Sequence, residues 1–211
     1  MSNVVCDKRI PAAVLAGGKS KRFGVDKALY QYKGKPLIAY VVERIHRASM
    51  ISKVYVIASP SNAEALEKAL GDGVEGIIVD KRLIGPLGGV LEALQAVGDC
   101  FIVACDMPFI NYAFVDYIVK MYSEDEGNHL AYVPVWSNSL MEPLHAVYVE
   151  EITKLLEDFA SRGTRSLQEA LRKLEPQVYL IRIEELPREW QESLFNANRA
   201  EDLREASHHL G

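Results

Sequence analysis

Cysteine is scarce in this chain: Cys6, Cys100 and Cys105 make an odd number and stand at no metal-ligand spacing. That argues against a disulfide framework or a zinc ribbon, and the thiols read as small buried hydrophobes in a reducing compartment. Neither a signal peptide nor an apolar run of 18 residues is present, so secretion and membrane crossing are not expected, and a cytoplasmic location is. A basic surplus is missing too. The net charge of −5 is the wrong sign for the overall footprint of a nucleic-acid binder, so no nucleic-acid partner is expected. Two familiar phosphate-binding patterns are also absent. Gly18 and Gly24 have five residues between them, and Gly24 leads into Val25-Asp26-Lys27, which is not the Walker A spacing. Gly17 and Gly18 are adjacent and followed by Lys19, which is not the dinucleotide fingerprint.

What the chain does have is a first stretch, Ala12 to Lys27, suited to polyphosphate. Ala12 to Leu15 has the apolar character of a buried strand, and Gly17-Gly18 breaks it where the backbone can turn and expose its N–H groups. Lys19, Lys21, Arg22 and Lys27 then place four cations within nine residues, a number that matches a triphosphate better than a single carboxylate. A plain glycine turn followed by a solvated basic loop accounts for the same residues. With 211 residues and 49% hydrophobic composition, one sizeable core is expected, and with it a single domain over 1–211.

Downstream, strand and helix signals alternate as they do in a parallel sheet. A helix is expected from Pro36 to about Ser49, a strand over 53–58, a helix over 63–70 and a strand over 76–79 that ends at Asp80. Gly85-Pro86-Leu87-Gly88-Gly89 opens a further helix, with glycine dense enough to suggest the close approach of a base or ribose or, more plainly, a turn. Cys100 to Ala104 is the most strand-like apolar run and is expected at the centre of the sheet, buried on both faces. It stops at Asp106. An Asp before a turn usually caps backbone N–H groups, but at the carboxyl end of a parallel strand it also stands where ligands bind in open α/β sheets.

The later half reads as a helix over 113–122, strands over 130–135 and 143–149, helices over 152–159 and 167–174, and a strand over 178–183 at or near an edge. Ser166 and Glu169 have capping-box spacing. His145 reads as a hydrogen-bonded strand residue before it reads as a catalyst. Arg162 and Arg165 read as solvated, or as a site for an acceptor phosphate. Asn196 and Asn198 precede a last helix, where Asn198 suits an N-cap with Glu201 three residues on.

Taken together, LAGGKSKRFGVDKALYQYKGKPL at Leu15 to Leu37, GPLGG at Gly85 to Gly89, CDMPF at Cys105 to Phe109, PLHAV at Pro143 to Val147 and NANRAEDL at Asn196 to Leu203 resemble the molybdenum cofactor guanylyltransferase family. Arg199 and Ala200 depart from the family's usual Thr and Pro. The resemblance implies an α/β fold, a Rossmann-like three-layer sandwich around a mostly parallel mixed sheet of the nucleotide-diphospho-sugar transferase type. It implies a nucleotide-binding half at about 10–110 and an acceptor-binding half at about 111–211.

It further implies a nucleotidyltransferase that moves GMP from GTP to molybdenum-bearing molybdopterin, with Mg²⁺ as cofactor. Transient contact with molybdenum cofactor insertion proteins or molybdoenzyme chaperones would follow. On that pattern Arg22, Lys27 and Asp106 carry catalysis, and Asp106 holds the metal. Leu15, Ala16, Gly17, Gly18, Asp80, Gly85 and Gly88 line the nucleotide, while Asn196 and Asn198 stand on the phosphate or acceptor side. Some relatives carry an Asn just after the second strand to read guanine. Here Ser59-Pro60-Ser61 stands there, leaving backbone groups or Asn62 for that task. Adenosylcobinamide phosphate or a sugar phosphate as acceptor, a cytidylyl transfer, and a non-catalytic nucleotide-binding module are the alternatives.

Overall fold

The computed structural model describes residues 8–17, 26–125, 127–199 and 201–204. The first strand, β1 (Ile10–Leu15), divides its side chains between two apolar clusters, with Ile10, Ala12 and Val14 in one and Ala13 and Leu15 in the other. Burial on both faces is what a sheet covered by helices on each side requires. The chain continues through a hairpin of β2 (Gln31–Tyr32) and β3 (Lys35–Pro36), then α1 (Leu37–Ile45), β4 (Ile51–Ala58), α2 (Ala63–Leu70), β5 (Gly76–Val79) and α3 (Pro86–Val97). β6 (Cys100–Ala104), α4 (Tyr112–Glu124), β7 (Ala131–Val135), β8 (His145–Tyr148), α5 (Thr153–Ser161), α6 (Leu167–Lys173), β9 (Val178–Arg182) and a short α7 (Arg188–Gln191) follow.

The seven longer strands form one sheet in the order β5-β4-β1-β6-β8-β7-β9. β5, β4, β1 and β6 are mutually parallel, β8 is antiparallel to β6 and to β7, and β7 is parallel to β9. β6 is buried throughout and stands fourth of the seven, as its unbroken apolar sequence predicts. Leu66 of α2 and the inward faces of α1 and α4 pack on one side of the sheet. Those of α3, α5 and α6 pack on the other. The three-layer, mostly parallel mixed sheet is the expected fold class. Each fully buried Val, Leu, Ile or Phe in these layers contributes roughly 1.5–3 kcal/mol.

This topology fixes one functional edge. Since β8 alone among the described strands of this sheet is reversed, the segments after β1, β4, β5 and β6 and the loop from β7 to β8 all leave the sheet at the same rim.

Some boundaries differ from the sequence reading. Pro36 does not open α1, because it is extended (φ −58°, ψ 143°) and pairs with Gln31. The hairpin turn is Lys33-Gly34, both with positive φ, the conformation that two-residue hairpin loops favour. α1 ends at Ile45 rather than Ser49 because the Asp116 carboxylate takes the N–H groups of Ser49 and Met50, starting β4 two residues early. At Ser166 the hydroxyl accepts from Glu169 N as a cap should, but the Glu169 carboxylate goes to Lys173, so only half of the capping box forms.

The glycines of α3 meet the chain's own atoms. A Cβ on Gly88 would lie 3.0 Å from Ile84 and 3.3 Å from Asp80 Oδ1, and one on Gly89 would lie 2.5 Å from Cδ2 and 3.1 Å from Cγ of Leu15. Alanine would gain about 0.5–1 kcal/mol of helix preference, but moving Leu15 in a filled layer costs roughly 1–3 kcal/mol. Gly89→Ala is therefore expected to lower stability by about 1 kcal/mol in urea titration. A stabilised variant would mean that Leu15 is free to yield.

Candidate functional site

At the rim, the chain after the first-strand loop re-enters at Asp26 in a tight turn. Asp26 Oδ1 accepts from Ala28 N at 2.9 Å, and the N–H groups of Leu29 and Tyr30 return to the carbonyls of Asp26 and Lys27. This turn sends Lys27 toward β6. β1 and β6 are neighbours, and Cys105 N donates to Leu15 O just past the paired strands. The Lys27 ammonium consequently lies 2.5 Å from Asp106 Oδ2, with both side chains mostly covered at 14% and 20% exposed. The other carboxylate oxygen, Asp106 Oδ1, is buried and has no hydrogen-bond partner.

A third segment closes on this pair. Ala197 N donates to Asp106 O at 2.9 Å, and Asn198 Oδ1 stands 3.5 Å from Lys27 Nζ. Ala197 and Leu203 bury against Leu37, and the Phe195 ring packs on Phe109, which holds this segment in place. Asn198 does not cap the last helical turn at 201–204. Asp202, inside that turn, reaches back to accept the N–H groups of Asn198 and Arg199, which precede it. The Asn196 amide donates to Leu194 O within its own segment.

Asp80 is 6% exposed, and its Oδ1 accepts from Arg82 N and Leu83 N, shaping the turn ahead of Gly85, whose φ is +78°. Ala16 N bonds Ile57 O, and Gly17 passes beside Ser59. Leu15, Ala16, Gly17, Lys27, Asp80, Gly85, Gly88, Asp106, Asn196 and Asn198 therefore belong to segments at one rim. Gly18 and Arg22 lie outside the described residues.

Residues 12–178 match the model of the MobA-like NTP transferase domain. The chain belongs to the MobA-like NTP transferases. A protein of Thermococcus gammatolerans named "Probable molybdenum cofactor guanylyltransferase" is 48% identical over 90% of this chain and 95% of its own. One of the same name from Pyrococcus horikoshii is 43% identical over 92% and 97%. Among solved structures, molybdopterin-guanine dinucleotide biosynthesis protein A of Archaeoglobus fulgidus superposes with a TM-score of 0.78 at 27% identity, covering 95% of this chain and 98% of that one.

The MobA-like rim has further polar parts. Asn62, which the sequence offered as a reader of guanine, instead bridges Ala16 and Asp26. Glu142, on the loop between β7 and β8, accepts from the Trp136 indole at 2.8 Å, and burial pushes its carboxyl above the ordinary range against that bond. Ala104 N donates to Leu144 O, so Glu142 follows closely on the end of β6. Only its place in a loop beside Pro143 hinted at this. Arg162 pairs with Asp158, and Arg165 donates to the carbonyls of Ala160 and Thr164, so both serve their own loop.

Two groups that could move protons, His145 and Cys105, are muted. His145 is fully buried between the rings of Phe101 and Phe114, Nδ1 has no partner, and burial lowers its pKa to about 3. Burial and the neighbouring Asp106 push the Cys105 thiol up, so it is not a thiolate nucleophile. No group of three or more His, Cys, Asp or Glu gathers among the described residues. Nor is any helix among them long and apolar enough to cross a membrane.

His145 generates a pH prediction. Between its ordinary value of 6.5 and about 3, the unfolded chain binds a proton at this histidine that the folded chain refuses. Stability therefore falls as pH drops through that window. In His145→Phe the decline in denaturation midpoint from pH 6.5 to 4 should be shallower than in the wild type. Parallel declines would assign the acid sensitivity elsewhere.

Proposed function

We propose that this protein transfers GMP from GTP to molybdenum-bearing molybdopterin, releasing pyrophosphate and giving molybdopterin guanine dinucleotide. The observation that carries the reading is the pairing of Lys27 with Asp106 at one rim, 2.5 Å apart across 79 positions of sequence, with the second oxygen of Asp106 buried and unpartnered. The family membership and the names of its relatives supply the substrates.

In the transfer, a terminal phosphate oxygen of the acceptor attacks the α-phosphorus of GTP. The bond from that phosphorus to the bridging oxygen breaks, and the electron pair leaves with pyrophosphate. A phosphate monoester is already ionised near neutral pH, so no general base is needed, which accords with the buried, neutral His145. Catalysis is then positioning and charge stabilisation. Lys27, together with Arg22 from the first loop, neutralises charge growing on the α-phosphoryl oxygens and the departing pyrophosphate. Leu15, Ala16, Gly17 and Gly18 run along base and ribose, Asp80 with Gly85 and Gly88 completes the nucleoside side, and Asn196 and Asn198 face the phosphates or acceptor.

The residues fit a divalent cation. A buried carboxylate oxygen without a partner is a ligand in waiting, and Mg²⁺ is commonly held by one or two carboxylates with substrate phosphates completing its shell. Asp106 would hold it, and bound there Mg²⁺ supplies positive charge against the triphosphate. The half of the chain from about 111, including the loop with Trp136 and Glu142, takes the acceptor. Product passes in the cytoplasm to molybdenum cofactor insertion proteins or molybdoenzyme chaperones.

The test offers each of the four nucleoside triphosphates with molybdopterin, cobinamide phosphate or a sugar phosphate and measures pyrophosphate. Release is expected with GTP and molybdopterin. Transfer to another acceptor, or nucleotide binding without release, would replace this reading. In the same assay Lys27→Ala and Asp106→Asn should each lower kcat about 100- to 1,000-fold, the usual cost of one preorganised charge. Either variant turning over at the wild-type rate in saturating Mg²⁺ would remove its residue from the mechanism.

A further inference from the structure

Asn62 opens α2 at a position where asparagine ordinarily caps the helix, yet its side chain makes no capping bond. It turns the other way. One Nδ2 donates to Ala16 O at 2.9 Å and to Asp26 Oδ2 at 2.7 Å, while Oδ1 accepts from the Ser59 hydroxyl at 2.9 Å. The residue is 4% exposed. A local rule broken in this way, with the amide spent elsewhere, marks a place where function has claimed the side chain. With both amide protons donated and the residue buried, Asn62 has no donor left to offer a guanine.

Its two acceptors explain what it does. Ala16 is the last residue before the two glycines, and Asp26 comes after the basic segment, so a single amide holds the two ends of the loop together. The hold continues toward the chemistry. The Asp26 carboxylate that takes the Asn62 amide on one oxygen takes Ala28 N on the other, and that turn carries Lys27 to Asp106. We propose that Asn62 is a positioning residue that clasps the ends of the first-strand loop and, through Asp26, sets Lys27 for the nucleotide phosphates. The inference rests on the nucleotidyl-transfer reading only in taking triphosphate as the ligand of Lys27.

Asn62→Asp keeps the size and the Ser59 contact but loses both donated bonds and faces Asp26 with like charge. Asp26→Asn removes the same contact from the other side while keeping an acceptor for Ala28 N. Each variant should raise the KM for nucleotide about 10- to 100-fold, the factor that one lost hydrogen bond to a charged group carries. The KM for acceptor should stay at the wild-type value, and all four nucleoside triphosphates should weaken in proportion. The swapped double variant, Asp26→Asn with Asn62→Asp, restores a donor facing an acceptor and should recover about tenfold over either single variant.

Inorganic tripolyphosphate, which has no base and needs no acceptor, should show the same weakening by calorimetric titration. That measurement stands even if the wild-type chain proves to use another acceptor, so the two readings fail separately. A collapse of GTP-over-ATP preference in Asn62→Asp would make Asn62 a base reader and overturn the proposal. Wild-type KM and tripolyphosphate affinity in both single variants, or a double variant no better than the singles, would reduce Asn62 to a structural amide. Circular dichroism checks that each variant is folded. Should Asn62→Asp fail to fold, Asp26→Asn decides the matter alone.

Discussion

The ammonium of Lys27 and the carboxylate of Asp106 meet at 2.5 Å although 79 positions separate them, and both have given up most of their water. Charges held this way are costly to leave single, because a partly buried ion without a partner has lost its hydration and gained nothing in return. The pair therefore disciplines its surroundings. β1 must lie beside β6 in register, the turn after Asp26 must aim its lysine across the gap, and the chain after β6 must keep Asp106 low enough to be covered. On the proposed reading, a ligand bringing its own negative charge and a cation would exchange with each half of the pair, beside an Asp106 Oδ1 that is buried without a hydrogen-bond partner.

Much of the remaining structure serves to keep that geometry fixed. Gly89 allows α3 to approach β1 so closely that Leu15 fills the place a side chain would take, which seats the end of β1 against a helix instead of leaving it loose. On the opposite face of the sheet, the C-terminal segment is pinned by Leu203 and Ala197 against Leu37, and a backbone bond from Ala197 reaches Asp106 itself. Residues from the beginning, middle and end of the chain thus constrain one small region. This is how a rim made of loops can hold charges to within the tolerance that transfer chemistry needs.

The sheet was legible wherever burial alone decides structure. β6 is read from five apolar residues, and α2, β5 and α3 fall where periodicity and glycine punctuation put them, since those signals report the same packing that the fold uses. The hairpin of β2 and β3 was not, because strands of two residues leave no period to detect, and Pro36 there obeys its ladder partner instead of its helix preference. The end of α1 was lost to Asp116, a residue of another helix. At the site, the glycine motif and the two charges were visible as residue types, but the use of Asn62 was not. A capping position and a bridging position look alike until the acceptors are in view, and both of its acceptors belong to segments far from it in sequence. Asn198 misled for the same reason in reverse, its side-chain oxygen facing Lys27 instead of the helix.

Among the described residues, the groups held neutral bear on the chemistry as much as the charged pair does. His145, close in sequence to the acceptor-side loop, is held neutral between two aromatic rings, and the thiol beside Asp106 is pushed away from ionisation by burial and by that same carboxylate. A reaction that needed a proton taken from a nucleophile would find no suitable base among these groups. One whose nucleophile arrives ionised needs only that opposing charges be held at fixed places while a phosphorus changes partners. The polar contacts seen here do that and little else: an amide tying loop ends, a carboxylate shaping a turn, a lysine set against an aspartate. Transfer between two anionic substrates is the chemistry for which such a site is sufficient, because the barrier it must lower is mostly electrostatic repulsion and misalignment.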